Sequence, residues 1–246
     1  MEEKHVVIGA AGALGSAIVG VLSGLGESVR AVVRDVDRAR RVLPPEADIV
    51  IGDGANAESV RLVCRNATVI YHCINVPFEK WYTVMPAITD NILAGAREAR
   101  ARIVFPGNIY GYGPLRMTPA NEDHPLAATS KQGQLRNELE RKLIDANLMA
   151  DVKVVIARFP EYYGPNVTNW LMSPIFQAAL DGRTAAWPGK LEVPHDLIYI
   201  RDAATACCIL GSSESSYGQV WHVPGAGPIT GKQFIGMAFQ AAGTKA

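Results

Sequence analysis

The chain has 246 residues, with apolar residues at 48% and charged residues at 20%, the proportions of a globular protein long enough for one large α/β domain and an appendage. Lys and Arg total 24 against 24 Asp and Glu, so no basic excess points to nucleic acid, and no apolar run reaches the ~18 residues that span a bilayer. Met1-Glu2-Glu3-Lys4 lacks the basic-then-apolar order of a signal peptide, and Cys64, Cys73, Cys207 and Cys208 show no paired metal-ligand spacing; a cytoplasmic chain with reduced thiols and no metal is expected.

Strands and helices alternate from the start. "HVVIG" (5–9) reads as a buried strand and 15–25 as a helix. "SVRAVVR" (28–34) is a second strand, followed by the Arg-rich stretch 36–42, whose Arg38, Arg40 and Arg41 suit a solvated helix face. "DIVIGD" (48–53) and a helix over 57–64 come next, then "TVIYHCI" (68–74) and a helix over 83–100. "RIVF" (102–105) is a fifth strand running into a turn at Pro106-Gly107-Asn108. A long helix over 130–147 and "VKVVIARF" (152–159) complete the series. Short β-branched runs separated by helices predict a parallel sheet covered on both faces, a doubly wound, Rossmann-type α/β fold.

The rhythm changes after Gly164-Pro165. The stretch 166–194 is richer in Trp, Pro and polar residues, with a helix over 173–181. "HDLIYIRDAATACCIL" (195–210) restores a strand and helix, with Cys207-Cys208 as small apolar filler. A strand, a turn, an N-cap at Thr230 and a last helix follow. The expected organisation is a nucleotide-binding domain over 1–165 with 195–210 returning to it, and a small substrate-binding lobe from 166–194 and 211–246.

"VVIGAAGALGSAIVG" carries the strongest chemical signal. Gly9, Gly12 and Gly15 follow a strand and open a helix, with Ala11, Ala13 and Leu14 between them. Glycine permits the tight turn and lets a pyrophosphate reach the free N–H groups and positive end of the helix. The end of the second strand selects the dinucleotide: a carboxylate binds a ribose 2′-hydroxyl, an Arg a 2′-phosphate. Arg34 stands there and Asp35 follows, which favours NADP over NAD. The alternative is an exposed strand-end arginine with no such role. Pro106 and Gly107 are expected on the floor of the cofactor pocket, since ligands bind at the carboxyl ends of strands in open parallel sheets.

With the glycine loop, "IGD" (51–53), "NIYGYGP", "EDHP" (122–125), "RFPEYYGP" (158–165), "LIYIRDAA" and "GQVWHVPG", the chain resembles the extended short-chain dehydrogenase/reductase superfamily, the NAD-dependent epimerase/dehydratase group, over almost its whole length. The resemblance implies that Asp53, with Gly54 beside it, would meet the adenine. Cys73, Ile74 and Asn75 would line the ribose, and Phe159, Pro160 and Tyr162 would lie near the nicotinamide. It also implies a chain continuing past the last helix, so that the end at Ala246 reads as a truncation. Members carry a Ser or Thr, a Tyr and a Lys for proton transfer. At the matching positions stand Pro106, Gln132 and Arg136; Gln donates no proton and Arg stays charged. Arg136 can still hold a ribose or an anionic substrate group, and Gln132 can orient a carbonyl. Asn108 is the polar side chain of the turn, and Tyr110, Tyr112, Tyr162 and Tyr163 are ambiguous between packing and chemistry. His72 reads as a hydrogen-bonded core residue, His124 and His195 as exposed. The expectation is an NADP-binding oxidoreductase or epimerase-like protein acting on a small carbonyl or sugar-like substrate, or else a non-catalytic NADP-binding sensor. A homodimer is implied, paired through helices 83–100 and 130–147, with Ile88, Ile92, Leu135, Leu139 and Leu143 either in the interface or against the sheet.

Overall fold

In the computed structural model, which describes residues 4–245, β1 (Lys4–Ile8), β2 (Ser28–Val33) and β3 (Asp48–Ile51) are separated by α1 (Ala13–Gly24) and α2 (Val36–Val42). The acidic start and the terminal Ala246 lie outside the described residues. Next, α3 (Ala57–Val63), α4 (Trp81–Ala99) and α5 (Lys131–Leu148) alternate with β4 (Val69–His72), β5 (Arg102–Asn108) and β6 (Val154–Phe159). The elements then shorten: β7 (Glu161–Tyr163), α6 (Met172–Asp181), β8 (Pro194–His195), β9 (Leu197–Tyr199), α7 (Ile200–Ser212), β10 (Val220–His222), β11 (Ile229–Thr230) and α8 (Gly231–Ala242).

Seven strands form one sheet in the order β10-β6-β5-β4-β1-β2-β3, and every pair is parallel. The chain leaves β1 first towards β3 and later, from β4, in the opposite direction. That reversal opens a crevice between the carboxyl ends of β1 and β4, the place where doubly wound sheets bind ligands. α3, α4 and α5 cover one face, with Val60, Ile92 and Leu139 packed against Ile70, Ile103 and Ile156. α1 and α7 cover the other, with Ile18, Leu22 and Cys207 clustered with Val7, Val104 and Val155. Burial on both faces is why the central strands are mostly apolar, and each such side chain contributes roughly 1.5–3 kcal/mol on leaving water.

Two expectations are corrected here, and a third is narrowed to one of its alternatives. The fifth strand does not turn at Pro106: Pro106, Gly107 and Asn108 pair with Ala157, Arg158 and Phe159. The reason lies in backbone alternation. Ile103 donates its N–H to Lys153 on the β6 side and Arg102 donates to Thr68 on the β4 side, so the even-numbered positions face β4. Pairing with β4 ends at Val104, and the N–H that Pro106 lacks would point where no ladder remains. Secondly, β10, expected in the smaller lobe, is the seventh strand of the large sheet beside β6. Thirdly, Ile88, Ile92, Leu135, Leu139 and Leu143 are buried against the sheet, so they supply no seam between subunits. Outward, α4 and α5 present charged side chains, among them Asp90 bonded to Lys142 at 2.6 Å.

A third apolar cluster lies beyond the sheet, where α6 and α8 bring Met172, Ile175, Phe234 and Phe239 together. α8 starts at the Thr230 N-cap that the sequence predicts, and Gln233 completes a capping box: Thr230 Oγ1 accepts from Gln233 N at 3.2 Å, and Gln233 Oε1 from Thr230 N at 2.9 Å.

Candidate functional site

The glycine loop joins β1 to α1 at the crevice. Gly9 has φ +91°, and a Cβ there would stand 2.8 Å from the backbone carbon of Cys73 at the end of β4. Gly9 therefore brings the two strand ends into contact. A Cβ on Gly15 would stand 2.9 Å from Ala10 Cα and closer still to Gly9 O, so Gly15 lets the helix close onto the loop. Gly12 is the N-cap of α1, without a side-chain cap and without an acidic residue in the first turn. The first-turn N–H groups have no intrahelical partners. Together these features make a cradle with a positive end, open to an anion at Ala11, Gly12, Ala13 and Leu14.

At the far side of the crevice, Arg34 follows β2 and is exposed, with no hydrogen bond or ion pair to any described residue. Asp35 is engaged as the N-cap of α2, accepting from Arg38 N at 2.9 Å. Asp53 accepts from Ala55 N at 3.0 Å, and Gly54 is kept bare by the Ile74 side chain, which occupies the space a Cβ would need. Asp53 and Ile74 thus converge on one edge, next to the exposed Asn75.

The opposite end lies over β4, β5 and β6. α5 is seated tightly on the 109–112 turn: a Cβ on Gly133 would meet Ala128 Cβ at 2.6 Å, and Asn137 Nδ2 donates to Gly111 O at 3.1 Å. This seating carries Gln132 and Arg136 to the carboxyl edge of the sheet. Gln132 is half-buried and without a hydrogen bond among the described residues. Arg136 is 7% exposed, and its guanidinium lies 4.3 Å from the centre of the Trp81 ring and 5.9 Å from that of Phe105. Nε is enclosed and unpartnered. Leaving a buried charge unpaired costs several kcal/mol, of which stacking on Trp recovers about 2. Burial pulls the Arg136 pKa down from its usual range.

The surrounding titratable groups are locked. Tyr110 Oη donates to Glu161 Oε1 at 2.6 Å; burial first, and Glu161 second, push its pKa up. His72 is buried, with Nε2 3.2 Å from Thr89 Oγ1; burial, reinforced by Arg136, lowers its pKa to about 3. Glu140, one turn beyond Arg136, is taken by Arg158 at 2.7 and 3.0 Å. Tyr112 is buried and approaches Arg158 and His222 Nδ1, at 3.5 and 3.2 Å. Asn108 caps the 109–112 turn, accepting from Tyr110 N at 3.1 Å.

A family model described as the NAD dependent epimerase/dehydratase family matches residues 5–223. The chain belongs to this family. A relative, the 3-diazoavenalumate denitrifying reductase of a Streptomyces species, is 28% identical over 244 residues, covering 87% of this chain and 73% of the relative. Among solved structures, an epimerase from Methanothermobacter thermautotrophicus superposes with a TM-score of 0.89 at 18% identity, covering 100% of this chain and 78% of that one. The UDP-glucose 4-epimerase of Thermus thermophilus, in complex with NAD, gives 0.83 at 21% identity, over 98% and 84%. At these identities the structural likeness speaks for the fold.

Of the two histidines expected to be exposed in this family member, the structure exposes one. His124 is buried rather than exposed, accepting at Nε2 from Arg116 N at 2.9 Å, because the 113–130 loop folds back over it. His195 is exposed and lies edge-on to Trp187 at 5.3 Å. Phe159 has no exposed surface, whereas Tyr162 is half-buried beside it at 5.6 Å. Pro160 is buried and Tyr163 packs on Tyr199 and Phe234. Sequence reasoning missed Trp81, Glu161 and the Glu140–Arg158 pair. Trp81 falls at the start of α4, two residues before the expected helix. Among the described residues no helix is long and apolar enough to cross a membrane.

Proposed function

We propose that the protein is an NADP(H)-dependent oxidoreductase of the epimerase/dehydratase family, acting on a small carbonyl or sugar-like substrate. The observation that carries the reading is the cradle of Gly9, Gly12 and Gly15, which leaves the start of α1 uncapped where the β1 and β4 ends touch. Related folds solved with NAD support a nicotinamide dinucleotide as the guest, and the relative from Streptomyces is a reductase by name. The preference for NADP rests on Arg34, exposed and without a partner, next to an Asp35 already spent on capping. Gly9, Ala11, Gly12, Ala13, Leu14 and Gly15 would hold the pyrophosphate, Asp53 and Gly54 the adenine side, and Cys73, Ile74 and Asn75 the ribose. Pro106, Gly107, Phe159, Pro160 and Tyr162 would border the nicotinamide.

When bound, such a cofactor supplies hydride. The chain's own residues supply positive charge at that end through Arg136, a dry wall of Trp81 and Phe105, and hydrogen-bonding groups at Gln132 and Asn108. Tyr110 keeps its proton at neutral pH and directs it to Glu161, so it orients rather than shuttles. With His72 held neutral, the proton balance falls to water. A homodimer belongs to the same reading, formed through the charged outer face of α4 and α5. The test is NADPH consumption against a panel of carbonyl compounds. Turnover that Arg136→Gln abolishes supports the reading; saturable NADP binding with no turnover across the panel overturns it in favour of a cofactor-binding sensor.

A further inference from the structure

Arg136 is the least satisfied charge in the redox end of the crevice. It is buried, its guanidinium carbon lies 4.3 Å from the centre of the Trp81 ring, and neither Nε nor the two Nη groups form a hydrogen bond or ion pair with any described residue. Unlike Nε, the Nη groups are not enclosed, which leaves the outer edge of the guanidinium open to a ligand. The carboxylates around it are already occupied, Glu140 by Arg158 and Glu161 by Tyr110. Trp81 is itself fixed, its Nε1 donating to Val76 O at 2.7 Å, and Tyr82 Oη bonds Lys131 O, which ties the start of α4 to the start of α5. The arginine thus sits against a fixed ring, with its Nη donors free. That is the arrangement that takes a planar anion side-on by two parallel hydrogen bonds.

We propose that Arg136 is a substrate-specificity residue that binds a carboxylate, so that the substrate is a small organic acid carrying its reducible group within reach of the nicotinamide end. The inference rests on the dinucleotide reading for its orientation. The pyrophosphate cradle lies at the β1 end and Arg34 beyond it at β2, whereas Arg136 sits among Phe105, Trp81 and Tyr110, over β5 and α4. The cofactor's phosphates are provided for elsewhere, and the unpaired charge is left for the substrate. Trp81 and Tyr110, whose ring centres lie 6.5 Å apart and nearly parallel, add an aromatic wall suited to an aryl or unsaturated acid.

The experiment is a calorimetric titration of benzoate and of its neutral isostere benzamide into the full chain, alone and saturated with NADP+. Benzoate is expected to bind more tightly than benzamide in both states. Arg136→Met should weaken benzoate roughly tenfold to a hundredfold, the loss of a charge-assisted pair, and leave benzamide unchanged; Arg136→Lys, which keeps the charge but not the fork, should fall between. Equal affinity for the two probes in the parent overturns the inference, as does an Arg136→Met protein, folded by circular dichroism, that binds benzoate like the parent. Competitive displacement of benzoate by NADP+ also overturns it, because the anion at Arg136 would then be the cofactor's. NADP+ binding without discrimination between the probes sinks only this inference; benzoate discrimination without NADP+ binding sinks only the dinucleotide reading.

Discussion

Gly15→Ala probes the cradle most sharply. The added Cβ would lie 2.9 Å from Ala10 Cα and 3.0 Å from the carbonyl carbon of Gly9, with Gly9 O nearer still. All three are backbone atoms, so nothing can swing aside and the loop itself must shift. Overpacking of that kind costs about 2–3 kcal/mol, and alanine's better helix propensity returns up to about 1. The net loss of roughly 1–2 kcal/mol lowers Tm by about 2–8 °C in a chain of this length. Gly20, on the same helix, is the internal control. It is exposed and a Cβ there meets nothing within 4 Å, so Gly20→Ala should raise Tm by about 2–4 °C. Thermal scans with and without NADP+ read both effects, and the rise in Tm that NADP+ gives the parent should shrink in Gly15→Ala and persist in Gly20→Ala. If Gly15→Ala melts with the parent and keeps the full NADP+ shift, the reasoning about the cradle is wrong.

Arg34→Ala should weaken NADP+ roughly tenfold to a hundredfold while NAD+ binding stays unchanged, read by fluorescence titration; unchanged NADP+ affinity would count against the assignment. His72 has a folded pKa near 3 against an ordinary value of 6.5. Below pH 6.5 the unfolded chain binds a proton that the folded chain refuses, so stability falls by about 1.4 kcal/mol per pH unit on acidification. Urea midpoints of the parent should drop across pH 6 to 4, and those of His72→Gln should drop less; parallel curves would exclude this source. Asn108→Ala removes a turn cap and should cost about 1 kcal/mol, with cofactor affinity nearly unchanged and turnover modestly reduced. Light scattering should show a dimer that dissociates in high salt, since the outer face of α4 and α5 is charged; a monomer at low salt would reject it.

The parts of the site that are local in sequence were legible from it. Gly9, Gly12 and Gly15 lie within seven residues, and their strand-loop-helix setting is written in the flanking apolar runs. The alternation of β-branched and helical segments likewise declares a sheet covered on both faces. What stayed hidden depends on contacts between distant segments. Arg136 meets Trp81 across two helices, and Tyr110 meets Glu161 from another strand; no spacing rule links such positions. Pro106 was misread because a proline ends a strand only where its missing N–H faces a partner, and that direction appears only once the ladder is known. His124 was misjudged for a similar reason, its polar neighbours suggesting exposure while the loop buries it against Tyr112, with ring centres 4.8 Å apart.

Whether a nicotinamide dinucleotide is cradled at the start of α1 and selected by Arg34 is decided by calorimetric titration of NADP+ and NAD+ into the unaltered protein. Saturable binding of one NADP+ per chain is expected, roughly tenfold or more tighter than NAD+. No binding of either dinucleotide, or equal affinity for both, would contradict it.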